Sequence, residues 1–454
     1  MKKTKVGLLI ISLLFLLSSP TWSAQSAIKL TLSESIKQAL EGNLDIRIAE
    51  IQLQKIESEI AQKKASFKPK LNLKLAPATW AGKLDSLDYK PQAGLSASLL
   101  TKGGTVYSLN LEQEKEKDEK INTNWSFILT QRILPHPKVD SSYLALEKSL
   151  LDSEQKRLTL EEDKNCLKLE VTVSFYDILK RQKEIELKGL YFKQAEEDLL
   201  IVKDKLENQS ASDLDLLNAQ VEVANAEEAV LQAKDELFQY SGEFKDLLGI
   251  DPEAQIELIA ESHYEPESLE LNLEEAVKEA LVKRLEIKRE EITVKESELD
   301  LALVKSKRLP SVNLSGGYNY TEPEEEEYKA SLIFQIPLVD GGESKAEIEE
   351  AKNKLKEANL NLERLKRNTT AEIRNYFFDL QQRMRKIELL RLSQKRCEKD
   401  LEIAQRRFSG GAIIRNELRE KEIAFKQAQI DFLEALLDCE TARATFLKSI
   451  GRKL

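Results

Sequence analysis

The chain has 454 residues, of which 33% are charged and only 6% aromatic, with 16 Gly and 11 Pro to interrupt regular structure. This balance is typical of long helices that face solvent, and it argues against a thick globular core. The net charge of -10 and the lack of a basic cluster with interleaved aromatic residues argue against nucleic acid binding. The only two histidines, His136 and His263, fall in different loop-like segments, so no catalytic or metal-binding set can be assembled around them.

Residues 1–26 are predicted to be a signal peptide. A basic start is followed by an apolar run over residues 6–17 and by small residues before a cleavage point between Ser23 and Ala27. The apolar run is too short to cross a bilayer. Because no later run of 18 apolar residues occurs, we expect the mature chain to lack a transmembrane helix. If it enters a membrane, we expect it to do so as a β-barrel.

The mature chain is predicted to begin with a capped helix that ends at Pro69. Thr31 and Glu34 have the spacing of a capping box, in which each side chain satisfies a backbone N–H of the first turn. From residue 71 the pattern changes to an alternation of leucine with polar residues, which predicts a strand.

A hairpin and a further strand follow in the sequence. The runs Gly94–Leu100 and Val106–Leu111 alternate on either side of a Lys-Gly-Gly-Thr turn, and Trp125–Gln131 alternates again. Glu112–Lys120 is predicted to be a solvated loop because it is highly charged. The last strand is predicted to stop at Pro135.

A very long helix and a shorter return helix complete the first half. Val139–Glu207 contains no Pro and a single Gly, so it is predicted to be one helix. It turns at Asn208–Ser212, and the return helix ends at Gly249. Residues 250–270 are predicted to form a small irregular linker that contains one short alternating piece, Gln255–Ile259.

The same order of elements begins again at Leu271. Leu271–Pro310 aligns with Leu30–Pro69 without a gap, which indicates a duplicated structural unit. Asn272 with Glu275 is predicted to cap its first helix. Strands are predicted at Val312–Tyr320 and Tyr328–Ile336, separated by an acidic loop over residues 321–327.

The second long helix is predicted from Glu343 to Ser409. This segment contains neither Gly nor Pro and would be ~100 Å long at 1.5 Å per residue. Its apolar residues are spaced alternately four and three apart, as in a coiled coil. It turns at Ser409–Ala412, and its return helix ends at Gly451.

Two architectures can account for strands with one apolar and one small polar face. The first is a membrane barrel with lipid outside and water inside, and the second is a soluble antiparallel sheet packed on a core. The barrel is favoured because these segments offer no other partner layer. A few strands cannot enclose a water-filled bore, so subunits would share one barrel. Aromatic residues suited to an interfacial girdle are Trp125, Tyr318, Tyr320 and Tyr328.

The combination of three motifs resembles the TolC-like outer membrane efflux protein family. These motifs are the repeat starts LTLSESIKQAL and LNLEEAVKEAL, the strand-to-helix junction at Phe334–Gly342, and the Asn218-Ala219-Gln220 start of the return helix. The resemblance covers essentially the whole mature chain. It implies a homotrimer with four strands per subunit in a shared twelve-stranded transmembrane β-barrel, which continues into an α-helical coiled-coil periplasmic tunnel.

The resemblance also implies a function, a location and partners. Family members conduct substrates passively across the Gram-negative outer membrane in tripartite efflux or type I secretion systems. They work with a periplasmic adaptor protein and an inner-membrane pump of the RND, ABC or MFS type. The expected contacts are thus the adaptor, the pump, outer membrane lipid and two further copies of the chain, with no cofactor and no nucleic acid.

The sequence departs from the family pattern in three places. The usual Gln-Pro-Leu-Phe junction is replaced by Gln131-Arg132-Ile133-Leu134. The hairpin at about 92–111 is additional, and it belongs either to an enlarged external region or to the barrel strands. Gln209 stands where the family tends to have Gly in the first turn.

Two sets of candidate functional residues follow from the resemblance. Acidic residues after the second periplasmic turn, Glu417 and Glu420, would form the gate where the tunnel narrows, and the matching positions in the first copy are Asp215 and Asn218. For these residues, stabilisation of a first helical turn is the alternative role, and Asp215 can also form a capping box with Ser212. The turns would contact the adaptor through Gln209, Ser210, Ala211, Gly410, Gly411 and Ala412.

The expected organisation is a signal peptide (1–26), a first repeat (27–249), a linker (250–270) and a second repeat (271–451). A non-conducting coiled-coil protein of the cell envelope is the alternative function. An enzyme is not expected, because the sequence offers no set of nucleophile, base or metal ligands.

Overall fold

The computed structural model describes residues 28–77, 80–83, 86–89, 91–115, 121–135, 141–259, 272–322, 325–336 and 338–452. The predicted signal peptide, His136 and His263 lie outside these residues.

The helices of the described chain form two sets of four with matching lengths. In both sets two short helices precede a 67-residue helix and a return helix of 36 or 35 residues. The first set is α1 (Leu32–Gly42), α2 (Leu44–Ala65), α3 (Ser141–Glu207) and α4 (Asp213–Leu248). The second set is α5 (Leu273–Lys283), α6 (Leu285–Lys307), α7 (Glu343–Ser409) and α8 (Arg415–Ser449). None of these helices is both long and apolar enough to cross a membrane.

The strands lie before the first helix, between α2 and α3, after α4, and between α6 and α7. They are β1 (Ile28–Leu30), β2 (Lys70–Ala76), β3 (Trp80–Lys83), β4 (Ser86–Tyr89), β5 (Gln92–Leu100), β6 (Thr105–Lys115), β7 (Ile121–Leu134), β8 (Ile256–Leu258), β9 (Ser311–Thr321) and β10 (Glu325–Gln335). The short hairpin β3–β4 has no counterpart among the predicted strands.

The chain divides into two compact units, and each unit draws on both halves of the sequence. Unit 1 comprises the described residues of Met1–Leu44, Cys166–Leu269 and Asp379–Thr445. Unit 2 comprises those of Asp45–Asn165, Glu270–Phe378 and Phe446–Leu454.

Unit 1 is built on helix packing. Phe175 of α3 and Phe244 of α4 are fully buried, with ring centroids 6.3 Å apart. The predicted capping box of α1 is present, with Thr31 and Glu34 bonding each other's backbone N–H. β1 pairs in parallel with β8, so part of the segment predicted to be an irregular linker is a strand.

Unit 2 combines helices with an antiparallel sheet of six strands. The strand order is β10-β9-β7-β6-β5-β2. Phe377 of α7 packs on the fully buried Phe446 of α8, with ring centroids 6.0 Å apart. The register between β7 and β9 shifts between Arg132 and Leu134, inside the junction that departs from the family pattern.

Two further local predictions were wrong. Glu112–Lys115 belongs to β6 rather than to a solvated loop, because these residues pair with β7. Glu325–Glu327 likewise belongs to β10 and pairs with β9. Asn272 caps α5 as predicted, but it accepts a hydrogen bond from the backbone N–H of Glu274 and does not form a reciprocal pair with Glu275.

The additional hairpin lies inside the sheet. β5 and β6 are hydrogen-bonded between β2 and β7, so the sheet of one chain has six strands rather than the four that the resemblance implies.

Candidate functional site

The six-stranded sheet has one apolar face that is not covered within the described chain. The pairing registers of the strands place one residue of each strand in a single row across the sheet. All six residues of this row are apolar or aromatic: Leu71, Ala97, Leu109, Phe127, Tyr318 and Tyr328. Leu71 is 70% exposed and Tyr328 is 76% exposed. Monomeric soluble proteins rarely expose apolar patches of this extent.

The opposite face carries a polar row across all six strands. The neighbouring row contains Asn72, Ser96, Asn110, Ser126, Asn319 and Glu327. Asn110 donates to the Ser126 hydroxyl at 3.3 Å, and Asn319 donates to the Glu327 carboxylate at 3.3 Å. The two faces therefore suit two different surroundings, one apolar and one aqueous.

Aromatic rings cluster on the apolar face near the β9–β10 connection. The ring centroids of Trp125 and Tyr318 are 4.9 Å apart, those of Trp125 and Tyr320 are 6.0 Å apart, and those of Tyr318 and Tyr328 are 4.9 Å apart. Rings with an apolar body and a polar tip favour the boundary between lipid and water.

The two helical turns of unit 1 share one backbone geometry. Gln209 has a φ of 54° and Gly411 a φ of 71°, so both lie in the left-handed region. The N–H of Ser210 donates to the carbonyl of Lys205 at 2.7 Å, and that of Ala412 donates to Arg407 at 2.8 Å. At each turn a second backbone hydrogen bond joins two residues that are three apart. Together the two bonds define the Schellman motif, which ends a helix.

The predicted docking residues are placed at these turns. Gln209, Ser210, Gly410, Gly411 and Ala412 are exposed, and Ala211 is half-buried. In the part of the chain that the structure describes, the surface of both turns is therefore accessible to another molecule.

Asp215 has the capping role that the sequence offered as an alternative to the gate. Its carboxylate accepts from the backbone N–H of Ser212 at 2.8 Å and from the Ser212 hydroxyl at 2.7 Å. These bonds lower the pKa of Asp215, because they stabilise the ionised carboxylate. Asn218 lies one turn further along α4 and is exposed.

Glu417 and Glu420 lie three residues apart in the first turns of α8, and both are exposed. The residues between and beside them are instead buried or paired. Leu418 is buried, the Asn416 amide donates to Asp198 at 2.9 Å, and Arg419 forms an ion pair with Glu197. The structure thus separates two exposed carboxylates from a set of residues that attaches α8 to α3.

The contacts of Asn416 and Arg419 with α3 were not predicted from the sequence. Asn416 and Arg419 are adjacent to the predicted gate residues, but their partners are more than 200 positions away in the chain. The three-residue spacing of Asn416 and Arg419 predicts that they share one face of the helix, but it does not identify the residues that they contact.

No group of three or more His, Cys, Asp or Glu in the described residues is placed to hold a metal ion. Cys166, Cys397 and Cys439 are not joined by disulfide bonds. Burial raises the pKa of the Cys439 thiol to about 11, which makes its reactive thiolate scarce near neutral pH.

Comparison with known proteins confirms the predicted resemblance. Residues 276–452 match the model of the outer membrane efflux protein family. A comparison with functionally characterised sequences gave no significant match.

Solved structures with this fold include three bacterial proteins of low sequence identity. The CmeC outer membrane channel of Campylobacter jejuni aligns with a TM-score of 0.67 and 14% identity, over 92% of this chain and 85% of that one. The outer membrane protein VceC of Vibrio cholerae aligns at 0.67 and 13%, over 93% and 96%. The open state of the MtrE outer membrane channel of Neisseria gonorrhoeae aligns at 0.61 and 15%, over 93% and 89%. At these identities the likeness establishes the fold.

Proposed function

We propose that this chain is the outer membrane channel of a tripartite efflux or type I secretion system. Three copies would share one transmembrane β-barrel that continues into a helical coiled-coil tunnel in the periplasm. The observation that carries the proposal is the two-faced sheet, whose exposed apolar face needs lipid and whose polar face needs water. The family match over residues 276–452 supports the same conclusion.

The homotrimer is supported by apolar residues left uncovered on the helices of unit 1. On α4, Leu217, Leu231 and Phe238 share one heptad position and are 56%, 55% and 79% exposed. Such a seam on a helix favours burial against another helix, and a second copy of the chain supplies one.

The channel would act passively at the Gram-negative outer membrane. A periplasmic adaptor would contact the exposed turns at Gln209–Ala211 and Gly410–Ala412, and an RND, ABC or MFS pump of the inner membrane would supply energy. Catalysis has no part in this function, which accords with the channel proteins of the matching family.

The gate is proposed at the acidic residues that follow these turns. Glu417 and Glu420 from three copies would form two rings of three carboxylates, which attract cations across a narrow bore. The exposure of both side chains supports this role. Asp215 and Asn218 would occupy the matching positions on α4, with Asp215 also completing the capping box of that helix with Ser212.

Membrane fractionation and native mass spectrometry test the proposal. The expected result is a chain found in the outer membrane that needs detergent for extraction and has the mass of a trimer. A water-soluble monomer or dimer would favour the non-conducting coiled-coil alternative.

In vivo photocrosslinking tests the partners. Crosslinkers placed at Ser210 and Ala412 are expected to capture one adaptor protein, and a crosslinker at the exposed Glu363 in unit 2 serves as the control. Capture from the control position alone would contradict docking at the turns.

A further inference from the structure

The hairpin β5–β6 occupies two full strand positions in the sheet. β6 pairs with β7 over Thr105–Lys115, and β5 pairs with both β6 and β2. β5 has 9 residues and β6 has 11, which is the length of a strand that crosses a bilayer. The hairpin is therefore part of the sheet and not an appendage to it.

The turn of this hairpin lies at the end of the sheet where β7 approaches α3. The backbone N–H of Arg132 donates to the carbonyl of Gly104 at 3.3 Å, and the Gln131 amide donates to Gly103 at 3.1 Å. At the other end, Lys115 pairs with Ile121, the first residue of β7. The hairpin thus extends along β7 from Ile121 to Gln131, which is most of the length of that strand.

The two-faced pattern continues through the middle of the hairpin. Leu95, Ala97 and Leu109 lie in the apolar rows, whereas Ser96, Ser108 and Asn110 lie in the polar rows. An external lobe would not need this match with the faces of β7 and β9.

The two edge strands are suited to pair with each other between copies. β2 leaves helix α2 and β10 leads to helix α7, so these strands run in opposite senses within an alternating set of six. An even number of alternating strands allows β2 of one copy to continue antiparallel onto β10 of the next. On the polar face β2 carries Lys70 and Lys74, and β10 carries Glu325 and Glu327 together with Lys329.

We propose that the β5–β6 hairpin forms part of the membrane wall, so that three copies close a barrel of eighteen strands, with β2 of each copy paired to β10 of the next. The inference rests on the proposed function, since it takes the trimer and the membrane location from it. Barrel diameter grows roughly in proportion to strand number, so the bore would be about 1.5 times as wide as that of a twelve-stranded barrel.

Site-directed spin labelling of the trimer in liposomes tests the wall. In a chain whose three native cysteines are alanine, Ser96→Cys and Ser108→Cys are expected to be accessible to a water-soluble nickel complex. Leu95→Cys and Leu109→Cys are expected to be accessible to oxygen dissolved in the lipid. The matched control is β9, with Asn313→Cys and Leu314→Cys.

The control separates the two levels of the proposal. If β9 alternates and β5 and β6 are accessible to the nickel complex at every position, the hairpin is external and the eighteen-stranded wall is wrong. If β9 does not alternate either, the membrane sheet of the proposed function fails as well.

Disulfide crosslinking tests the pairing of copies. Single chains with one cysteine in β2 (Leu71→Cys or Leu73→Cys) and one in β10 (Leu332→Cys or Phe334→Cys) are expected to give covalent trimers on oxidation. Ala97→Cys in β5 with the same β10 cysteines is the control, because β2 covers that strand. Covalent trimers from the β5 pairs and none from the β2 pairs would overturn the proposal.

Discussion

At the residue scale, the two turns of unit 1 use one backbone conformation with two different residues. Gln209 and Gly411 both have positive φ, at 54° and 71°. A residue with a Cβ atom costs about 1–2 kcal/mol in this region, whereas Gly adopts it freely. The first turn is therefore the more strained of the two.

Exchanging the residue types should shift the stability of each turn in opposite directions. Gln209→Gly should stabilise its turn and Gly411→Ala should destabilise its own, each by about 1 kcal/mol. Hydrogen exchange of the Ser210 and Ala412 amides measures both effects. Equal exchange in each variant and in the parent chain would show that the conformation carries no strain.

Gly249 is required by a close approach of two backbones. A Cβ atom at this position would lie 2.2 Å from the carbonyl oxygen of Gly42, and the φ of Gly249 is +63°. The neighbouring Asn43 side chain also donates to the carbonyl of Leu247 at 3.2 Å. The end of α4 is thus held directly against the junction of α1 and α2.

Gly249→Ala should therefore lower the unfolding temperature of the protein and detach this junction. Gly242→Ala is the matched control, because it lies inside α4 with no atom within 4 Å of its added Cβ. The control should be stabilising by up to about 1 kcal/mol, because Ala is the better helix former. Thermal unfolding of both variants distinguishes a steric clash specific to Gly249 from a general effect of replacing Gly by Ala.

Glu279 makes the attachment of Arg452 dependent on pH. Hydrogen bonds from Arg452, at 2.8 Å, and from Lys283, at 2.8 Å, lower the pKa of Glu279 from 4.5 to about 2. A lowered carboxyl pKa contributes stability that is full above the unfolded value and is lost as pH falls through the folded one.

Acid titration of unfolding checks this contribution. The parent chain should lose stability between pH 4.5 and about 2 more steeply than Glu279→Gln, and the two should differ by a constant amount above pH 6. Parallel curves throughout the acid range would exclude Glu279 as the titrating group.

At the element scale, the first turns of α8 combine an exposed acidic side with a side fixed to α3. Glu417 and Glu420 are exposed, while Arg419 and Asn416 hold the helix through Glu197 and Asp198. This arrangement allows the carboxylates to be altered without loss of the packing.

Removal of the two carboxylates should weaken the block of conductance by divalent cations. The double variant Glu417→Ala, Glu420→Ala should need a several-fold higher concentration for half-block, because the binding charge at the bore is gone. Glu398→Ala with Asp400→Ala removes the same charge from exposed positions of α7 and is the control. An unchanged block in the first double variant would remove these residues from the gate.

The helices were largely predictable from the sequence, because their limits are set locally. α7 extends from Glu343 to Ser409 as predicted, since no Gly or Pro interrupts this segment and Gly410 follows it. The capping boxes of α1 and α4 depend on side chains three residues apart and were also predicted.

The ends of the strands and the contacts of the candidate site were harder to predict from the sequence. Glu112–Lys115 and Glu325–Glu327 are charged, and only their pairing with β7 and β9 makes them strands. Their charge indicates solvent but not the absence of a partner strand. The Arg419–Glu197 pair depends on how two distant helices pack, which spacing within one helix does not encode.

At the scale of the whole molecule, matching helix sets and a continuous two-faced sheet occur in one chain. The sheet needs lipid on one side, water on the other and a partner at each edge. A trimeric channel meets all three requirements.

Single-channel recording in a planar lipid bilayer tests this account most directly. The purified trimer should give discrete conductance steps that favour cations over anions and that fall when divalent cations are added. A purified trimer that inserts into the bilayer and carries no current would contradict the claim that this chain is a channel.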